Sequence, residues 1–280
     1  MKKYLKGKPV ADAIKADVSA RAASLKEKGV TPVLAVVRVG ARLDDISYER
    51  RVLKNCDAVG ITPKVEVLDE NATQQEVEEC VRSLSNDDKV HGILVFQPLP
   101  RHIDQSAIAN VISPQKDIDC MNPENLKKVF LGDESAVKPC TPEAVIEVLK
   151  YYGFELSGAN VVIVNRSLVV GKPLSMLFLN ENSTVTICHS RTKNLPEITK
   201  KADIVVSGIG KPSFFGSNYF TKDSIIIDVG INFDENGKMC GDVDCAQVEN
   251  MAAAITPVPG GVGSVTSAIL LRHLIESAQG

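Results

Sequence analysis

Four stretches carry residue types that could bind or transform a ligand. The first is Asn165-Arg166-Ser167-Leu168-Val169-Val170-Gly171-Lys172-Pro173, which follows the apolar run Val161–Val164. A strand, a short loop and a helix start make an anion seat, because free backbone N–H groups and the positive helix end face the ligand. Arg166 and Ser167 add a guanidinium and a hydroxyl, both suited to phosphate oxygens. Only Gly171 is a glycine, so the pattern is not G-x-G-x-x-G, and taken alone the loop reads equally as an ordinary βα turn. Past the next strand comes His189-Ser190-Arg191, where a Rossmann-like fold reads the adenosine ribose. A carboxylate there would favour NAD. Ser190 and Arg191, with Arg166, favour a 2′-phosphate and hence NADP, with NAD as the alternative.

The second stretch is the predicted helix 44–59. Tyr48 and Val52 stand at i and i+4 and share a face, whereas Lys54 lies about 200° around from Val52. A Tyr in such a helix is more often packing than chemistry. The third is Lys116-Asp117-Ile118-Asp119, in a Pro-rich connection. Two loop acids are usually solvated turn residues, but a loop at a domain boundary borders a cleft, where ligands bind. The fourth is Pro257-Val258-Pro259-Gly260-Gly261-Val262-Gly263, rigid at its prolines and open to close approach at its glycines. A simple helix-entry turn explains it equally well.

These residues must be held by elements, and the elements alternate. Strands are predicted at 32–39, 62–68 and 91–96, with helices at 44–59 and 72–84 between them. A pause over 113–142, with Pro114, Pro123, Pro139 and Pro142, reads as a loop-rich connection. The alternation then resumes: helix 142–152, strand 160–164, helix 172–180, strand 184–188, helix 195–201, strands 203–207 and 224–229, and a last helix from about 264. This predicts an α/β protein with parallel sheets and two αβ domains around an interdomain cleft. The first domain spans 1–141, with helix 264–280 packing back on it. The second, 142–263, is Rossmann-like.

Composition narrows the class. A chain of 280 residues with 44% apolar residues can bury a sizeable core without staples. The net charge of −3 removes the electrostatic argument for a nucleic-acid or membrane-surface partner. The N-terminal charges precede no unbroken apolar stretch, so no secretory signal is read, and no segment approaches a membrane span. The seven cysteines lack C-x-x-C spacing. They read as reduced thiols in a cytoplasmic protein, with no metal site.

The order of the motifs is more specific than any one of them. Ser47-Tyr48, Pro98-Leu99-Pro100, Pro114-x-Lys116-Asp117-Ile118-Asp119, Lys138-Pro139-Cys140-Thr141-Pro142 and Arg166-Ser167-x-x-Val170-Gly171-x-Pro173 come first. Cys188-His189-Ser190, Ile227-Asp228-Val229-Gly230-Ile231-Asn232, Gly241-Asp242-Val243-Asp244 and Thr256-Pro257-Val258-Pro259-Gly260-Gly261-Val262-Gly263 follow. Over nearly the whole chain this series resembles the methylenetetrahydrofolate dehydrogenase/cyclohydrolase family, of the bacterial bifunctional type. The resemblance implies a homodimeric oxidoreductase and hydrolase of one-carbon metabolism. Its folate site would lie in the interdomain cleft and its NAD(P) site on the second domain. By the same resemblance Tyr48 stacks on the pterin–aminobenzoate part of the folate and Asp119 accepts hydrogen bonds from the pterin, making these two the catalytic-site residues. Pro259, Gly260 and Val262 line the folate site. Asn165, Arg166, Ser167, Ser190, Arg191 and Ile231 hold the dinucleotide.

The chain departs from the family pattern at instructive places. The family's catalytic lysine, four residues after the Tyr, is here Val52, and the Gln that normally bonds it is Phe96. Asn165 and Cys120 stand where the family has glycine, and Ser264-Val265 replaces Pro-Met. Hydride transfer needs two rings held face to face. Hydrolysis of the methenyl product needs a group that moves a proton, which Val52 cannot do. The sequence therefore predicts an NADP-linked 5,10-methylenetetrahydrofolate dehydrogenase with a weak or absent cyclohydrolase step. The alternatives are a fully bifunctional enzyme giving 10-formyltetrahydrofolate, or a catalytically silent folate- or nucleotide-binding subunit.

Overall fold

The computed structural model describes residues 3–280; Met1 and Lys2, at the head of the N-terminal stretch read above, lie outside the described residues. In chain order the elements begin β1 (Lys3–Tyr4), α1 (Gly7–Glu27), β2 (Val33–Val39), α2 (Leu43–Val59), β3 (Thr62–Leu68), α3 (Gln74–Asn86) and β4 (Gly92–Val95). Next come α4 (Gln105–Val111), α5 (Pro123–Leu131), α6 (Cys140–Tyr151), β5 (Asn160–Val164), α7 (Gly171–Asn180), β6 (Thr184–Cys188), α8 (Leu195–Thr199) and β7 (Ile204–Ser207). The chain closes with β8 (Ile225–Asp228), β9 (Asn232–Phe233), β10 (Met239–Cys240), α9 (Cys245–Val248), β11 (Ala254–Ile255) and α10 (Val262–Gln279). Among the described residues no helix is long and apolar enough to cross a membrane.

The chain forms two compact units, and the expected α/β class with parallel sheets is what they show. One contains Ala13–Lys138 and Ser267–Gly280. Its sheet has three parallel strands in the order β3-β2-β4. β2 is the central strand and is buried along almost its whole length, which is why it reads as an unbroken Val-rich run. β3 lies at the edge and alternates between exposed and half-buried residues. Its core gathers Ala35, Val37 and Val39 of β2, Val77, Val81 and Leu84 of α3, and Ile93 and Val95 of β4. α3 starts on a reciprocal cap: Thr73 Oγ1 accepts from Glu76 N at 3.2 Å and Glu76 Oε2 from Thr73 N at 2.7 Å.

The stretch predicted as a loop-rich connection over 113–142 contains α5. Pro123 and Pro139 are helix-start signals rather than breakers. Asn122 caps the helix by accepting from Glu124 N at 2.8 Å, and Pro123 occupies the first turn, where a missing N–H costs nothing. Gly132, at φ 70°, closes it in the left-handed conformation. Pro139 likewise stands immediately before α6.

The other unit contains the chain through Asp12 and Pro139–Thr266. Its six strands are ordered β1-β11-β8-β7-β5-β6, all parallel. From β5 the chain steps outward to β6 and then returns past β5 to β7. The switch point thus lies between β5 and β7, where open α/β sheets form their ligand crevice. The strands' carboxyl ends are level, since Val164 is paired with both Cys188 and Ser207, and Ser207 with Asp228.

Gly92 shows how tightly the three-stranded unit is packed. A Cβ on Gly92 would lie 2.5 Å from Leu274 Cδ1 and 2.7 Å from Ile118 Cγ2. Both neighbours are buried, so neither can swing away. Gly92→Ala is expected to destabilise the protein by roughly 1–3 kcal/mol through overpacking. Denaturant titration checks this, and an unchanged midpoint would contradict the tight fit.

Candidate functional site

The loop after β5 is organised by a side chain. Asn165 Oδ1 accepts from Ser167 N at 2.7 Å, Ser167 Oγ at 2.8 Å and Gly171 N at 3.0 Å. The Asn165 Nδ2 donates to the carbonyl of Gly208, just beyond β7. The sequence predicted free N–H groups at the start of α7 facing an anion, and here the structure differs. Gly171 N is bound to Asn165, Lys172 N donates to Ser167 O at 3.0 Å, and Pro173 has no N–H. Val170 N is also committed, to Ser167 Oγ at 3.0 Å. At the start of α7 itself, an anion is therefore met by side chains. Those side chains are at hand: Arg166 is exposed after β5, and Ser190 and Arg191 are exposed after β6, its hydrogen-bonded neighbour. The turn carrying Ser190 and Arg191 is pinned by His189, whose N–H donates to Thr192 Oγ1 at 2.9 Å and whose Nδ1 accepts from Arg191 N at 3.2 Å. Ile231, 65% exposed, lies beyond β8.

Two buried carboxylates shape the same end of the sheet, and composition alone does not single them out. Asp228 ends β8. It accepts from Gly230 N at 2.9 Å, Val243 N at 2.8 Å and Ser207 Oγ at 3.3 Å. Burial pushes its carboxyl up to about 6, against the pull of these backbone donors. Asp242 accepts from Ile209 N at 2.6 Å, Lys211 N at 3.0 Å and Asn232 Nδ2 at 2.9 Å. The signal for both was present in the flanking glycines. A Cβ on Gly241 would meet Asp228 Oδ2 at 2.0 Å, and one on Gly230 would meet Asp242 Cγ at 2.5 Å.

In the three-stranded unit the structure brings Tyr48, Val52 and Phe96 into one region. The Tyr48 and Phe96 rings are 5.0 Å apart at 45°, and the Arg51 guanidinium sits 5.6 Å over the Tyr48 ring. Val52 and Phe96 are 3% and 5% exposed, so the two departures from the family pattern are both core residues. Gln97, one place along, faces outward, as does Lys54. α2 is anchored to β2 by Arg38 and Glu49, whose Nε and Oε2 are 2.8 Å apart.

The two acids of the third stretch have different jobs. Asp117 is buried and accepts from Met121 N at 2.9 Å, Asn122 N at 2.8 Å and Asn125 Nδ2 at 2.9 Å. It shapes the turn. Asp119 is half-buried on that turn. Buried His273 holds the turn from α10, its Nδ1 being 2.9 Å from Ile118 O. Cys120 adopts φ 57°, a conformation easier for the glycine of the family pattern. Of the fourth stretch, Pro259 and Gly260 are exposed, whereas Val262 is only 2% exposed at the start of α10.

Comparison with known proteins gives consistent results over both halves. Residues 5–119 match the family model described as tetrahydrofolate dehydrogenase/cyclohydrolase, catalytic domain, and residues 139–280 match its NAD(P)-binding domain. The "Bifunctional protein FolD" of Clostridium botulinum is 53% identical over 279 residues, covering 100% of this chain and 99% of its own. Among solved structures, the bifunctional FolD methylenetetrahydrofolate dehydrogenase/cyclohydrolase of Campylobacter jejuni is 39% identical, with a TM-score of 0.98 and coverage of 100% and 99%. The Trypanosoma brucei methylenetetrahydrofolate dehydrogenase-cyclohydrolase, solved with NADP and an inhibitor, is 35% identical, with a TM-score of 0.94 and coverage of 99% and 97%.

The buried carboxylates yield a stability prediction. In Asp228→Asn, an NH2 group would face backbone N–H donors, so a loss of roughly 1–3 kcal/mol is expected. The native carboxyl holds its proton more tightly than the unfolded one, whose value is near 4. Its contribution is therefore fullest at low pH and is lost as pH rises from about 4 through about 6. Denaturant titrations near pH 4 and near pH 7 check the sign. The gap between wild type and variant should be wider at the lower pH, and a gap that widens upward would contradict it.

Proposed function

Because the chain belongs to the tetrahydrofolate dehydrogenase/cyclohydrolase family, we propose that it oxidises 5,10-methylenetetrahydrofolate to the methenyl form with NADP. The observation that carries the cofactor assignment is the exposed set Arg166, Ser190 and Arg191 on two adjacent strand-end loops. Guanidinium and hydroxyl groups suit a 2′-phosphate, and no carboxylate stands among the three to repel it. Ser167 and Ile231 complete the dinucleotide site. NADP, when bound, supplies the hydride acceptor; binding and orientation fall to the chain.

Tyr48, backed by Phe96, offers a flat face on which the pterin–aminobenzoate part of the folate stacks. Asp119 accepts hydrogen bonds from the pterin's N–H donors. Contacts from Pro259, Gly260 and Val262 to the folate belong to the same proposal. The functional division is a folate part over 1–141 with helix 264–280 and a dinucleotide part over 142–263, except that the residues up to Asp12 group with the six-stranded unit. The chain is proposed to act as a cytoplasmic homodimer.

The names of the similar proteins support a cyclohydrolase step as well, giving 10-formyltetrahydrofolate. Val52 favours a second reading, in which hydrolysis is weak or absent. Water activation needs a group that exchanges a proton near neutral pH. Val52 has none, and Phe96 gives an introduced lysine no polar partner. A guanidinium, such as that of Arg51, is a poor base. Lys54 lies about 200° around the helix and is exposed.

Two measurements separate these readings. With purified protein, NADPH formation and methenyl-folate decay are followed as separate absorbances. On the Val52 reading NADPH appears while methenyl decay stays at the uncatalysed rate; decay clearly above that rate establishes the bifunctional reading. For the cofactor, wild type is expected to prefer NADP to NAD, and Arg166→Ala to narrow the preference by about tenfold, the worth of one charge-assisted bond. Equal use of both cofactors by wild type and variant would refute the 2′-phosphate pocket.

A further inference from the structure

Asn165 stands where loops from the two sides of the switch point meet. Both ends of its amide are committed to the protein: Nδ2 to the Gly208 carbonyl, and Oδ1 to Ser167 and Gly171. The backbone is correspondingly close. A Cβ on Gly171 would lie 2.2 Å from Asn165 O, and one on Gly208 would lie 2.7 Å from Val229 Cγ2 and 3.4 Å from Asn165 Nδ2. The amide therefore spans the gap between the loops and sets their spacing. A glycine at this position, as in the family pattern, could make none of these side-chain bonds.

We propose that Asn165 is a positioning residue for the dinucleotide. It fixes the separation of the loops after β5 and β7, and so holds Arg166 and Ser167 in register for the cofactor's phosphates; this replaces the direct contact with the dinucleotide expected of Asn165 from the sequence, since both ends of its amide are committed to the protein. The inference rests on the reading that this crevice binds NADP. Two effects of removing the amide oppose each other. The Ser167 hydroxyl, which now donates to Asn165, would become available to a phosphate. Against this, residues 165–171 lose the acceptor that orders them, and binding must then supply the ordering. The second effect wins, because it involves several backbone residues and the first involves one hydroxyl.

The test uses the full chain and NADP itself. Isothermal titration of Asn165→Ala is expected to give a Kd for NADP about tenfold above wild type, comparable to losing one hydrogen bond. The kcat at saturating NADP and the KM for the folate substrate should stay within about twofold, a split that a general loss of structure would not produce. Asn165→Gly removes the same side-chain bonds and adds no atom that could clash, so it should weaken NADP similarly. An Asn165→Ala Kd within about twofold of wild type, or a parallel loss of kcat and folate KM, overturns the proposal. If Asn165→Ala does not fold, Asn165→Gly decides, and an unchanged Kd there overturns it. A wild-type protein that binds neither NADP nor NAD removes the reading beneath the proposal instead.

Discussion

Two carboxylates buried in the six-stranded unit, and satisfied by N–H and O–H donors rather than by cations, constrain everything at its ligand end. A buried charge is tolerated only when its lone pairs are filled. Asp228 and Asp242 meet that condition by drawing Gly230 N, Val243 N, Ile209 N and Lys211 N toward themselves. The loops after β7 and β8 thereby share one framework with the 241–243 strip. Asn165 extends it to the loop after β5 through Gly208. Arg166, Ser190 and Arg191 are the exposed groups standing on a backbone whose own polar atoms are largely satisfied.

The three-stranded unit solves a different problem. Its proposed chemistry needs an aromatic face rather than an anion seat, and it supplies one by packing Tyr48 on Phe96. The Arg38–Glu49 pair fixes the helix that carries Tyr48 against the central strand. Val52 and Phe96 are apolar together, which leaves no stranded polar partner in the core. A lysine placed at 52 alone would enter an apolar site and lose part of its affinity for protons. The pair is therefore best understood as one substitution in two places.

Legibility in the sequence followed physical locality. The bounds of β3, β5 and β6 were readable to the residue, because β5 and β6 are β-branched runs and β3 alternates with period two. The helix α5 was not, because Pro123 and Pro139 carry the same letter whether they start a helix or break one. That Asp117 finds N–H donors within the following turn depends on three-dimensional closure. The same holds for α7. Its first turn reads as an open anion seat until the Asn165 side chain is seen to occupy Gly171 N.

The placement of β1 bears on the order in which the protein can be completed. Lys3 and Tyr4 pair with Ala254 and Ile255, so β1 finds its neighbour only after about 250 further residues have been made. Until then it has no sheet to join, and β11, once made, would present a bare edge if β1 were engaged elsewhere. Such a long-range closure is slow to form, because the loop entropy is lost before the pairing compensates it. β1 and β11 thus act as a clasp, and this edge of the six-stranded sheet is sealed only once β11 has been made.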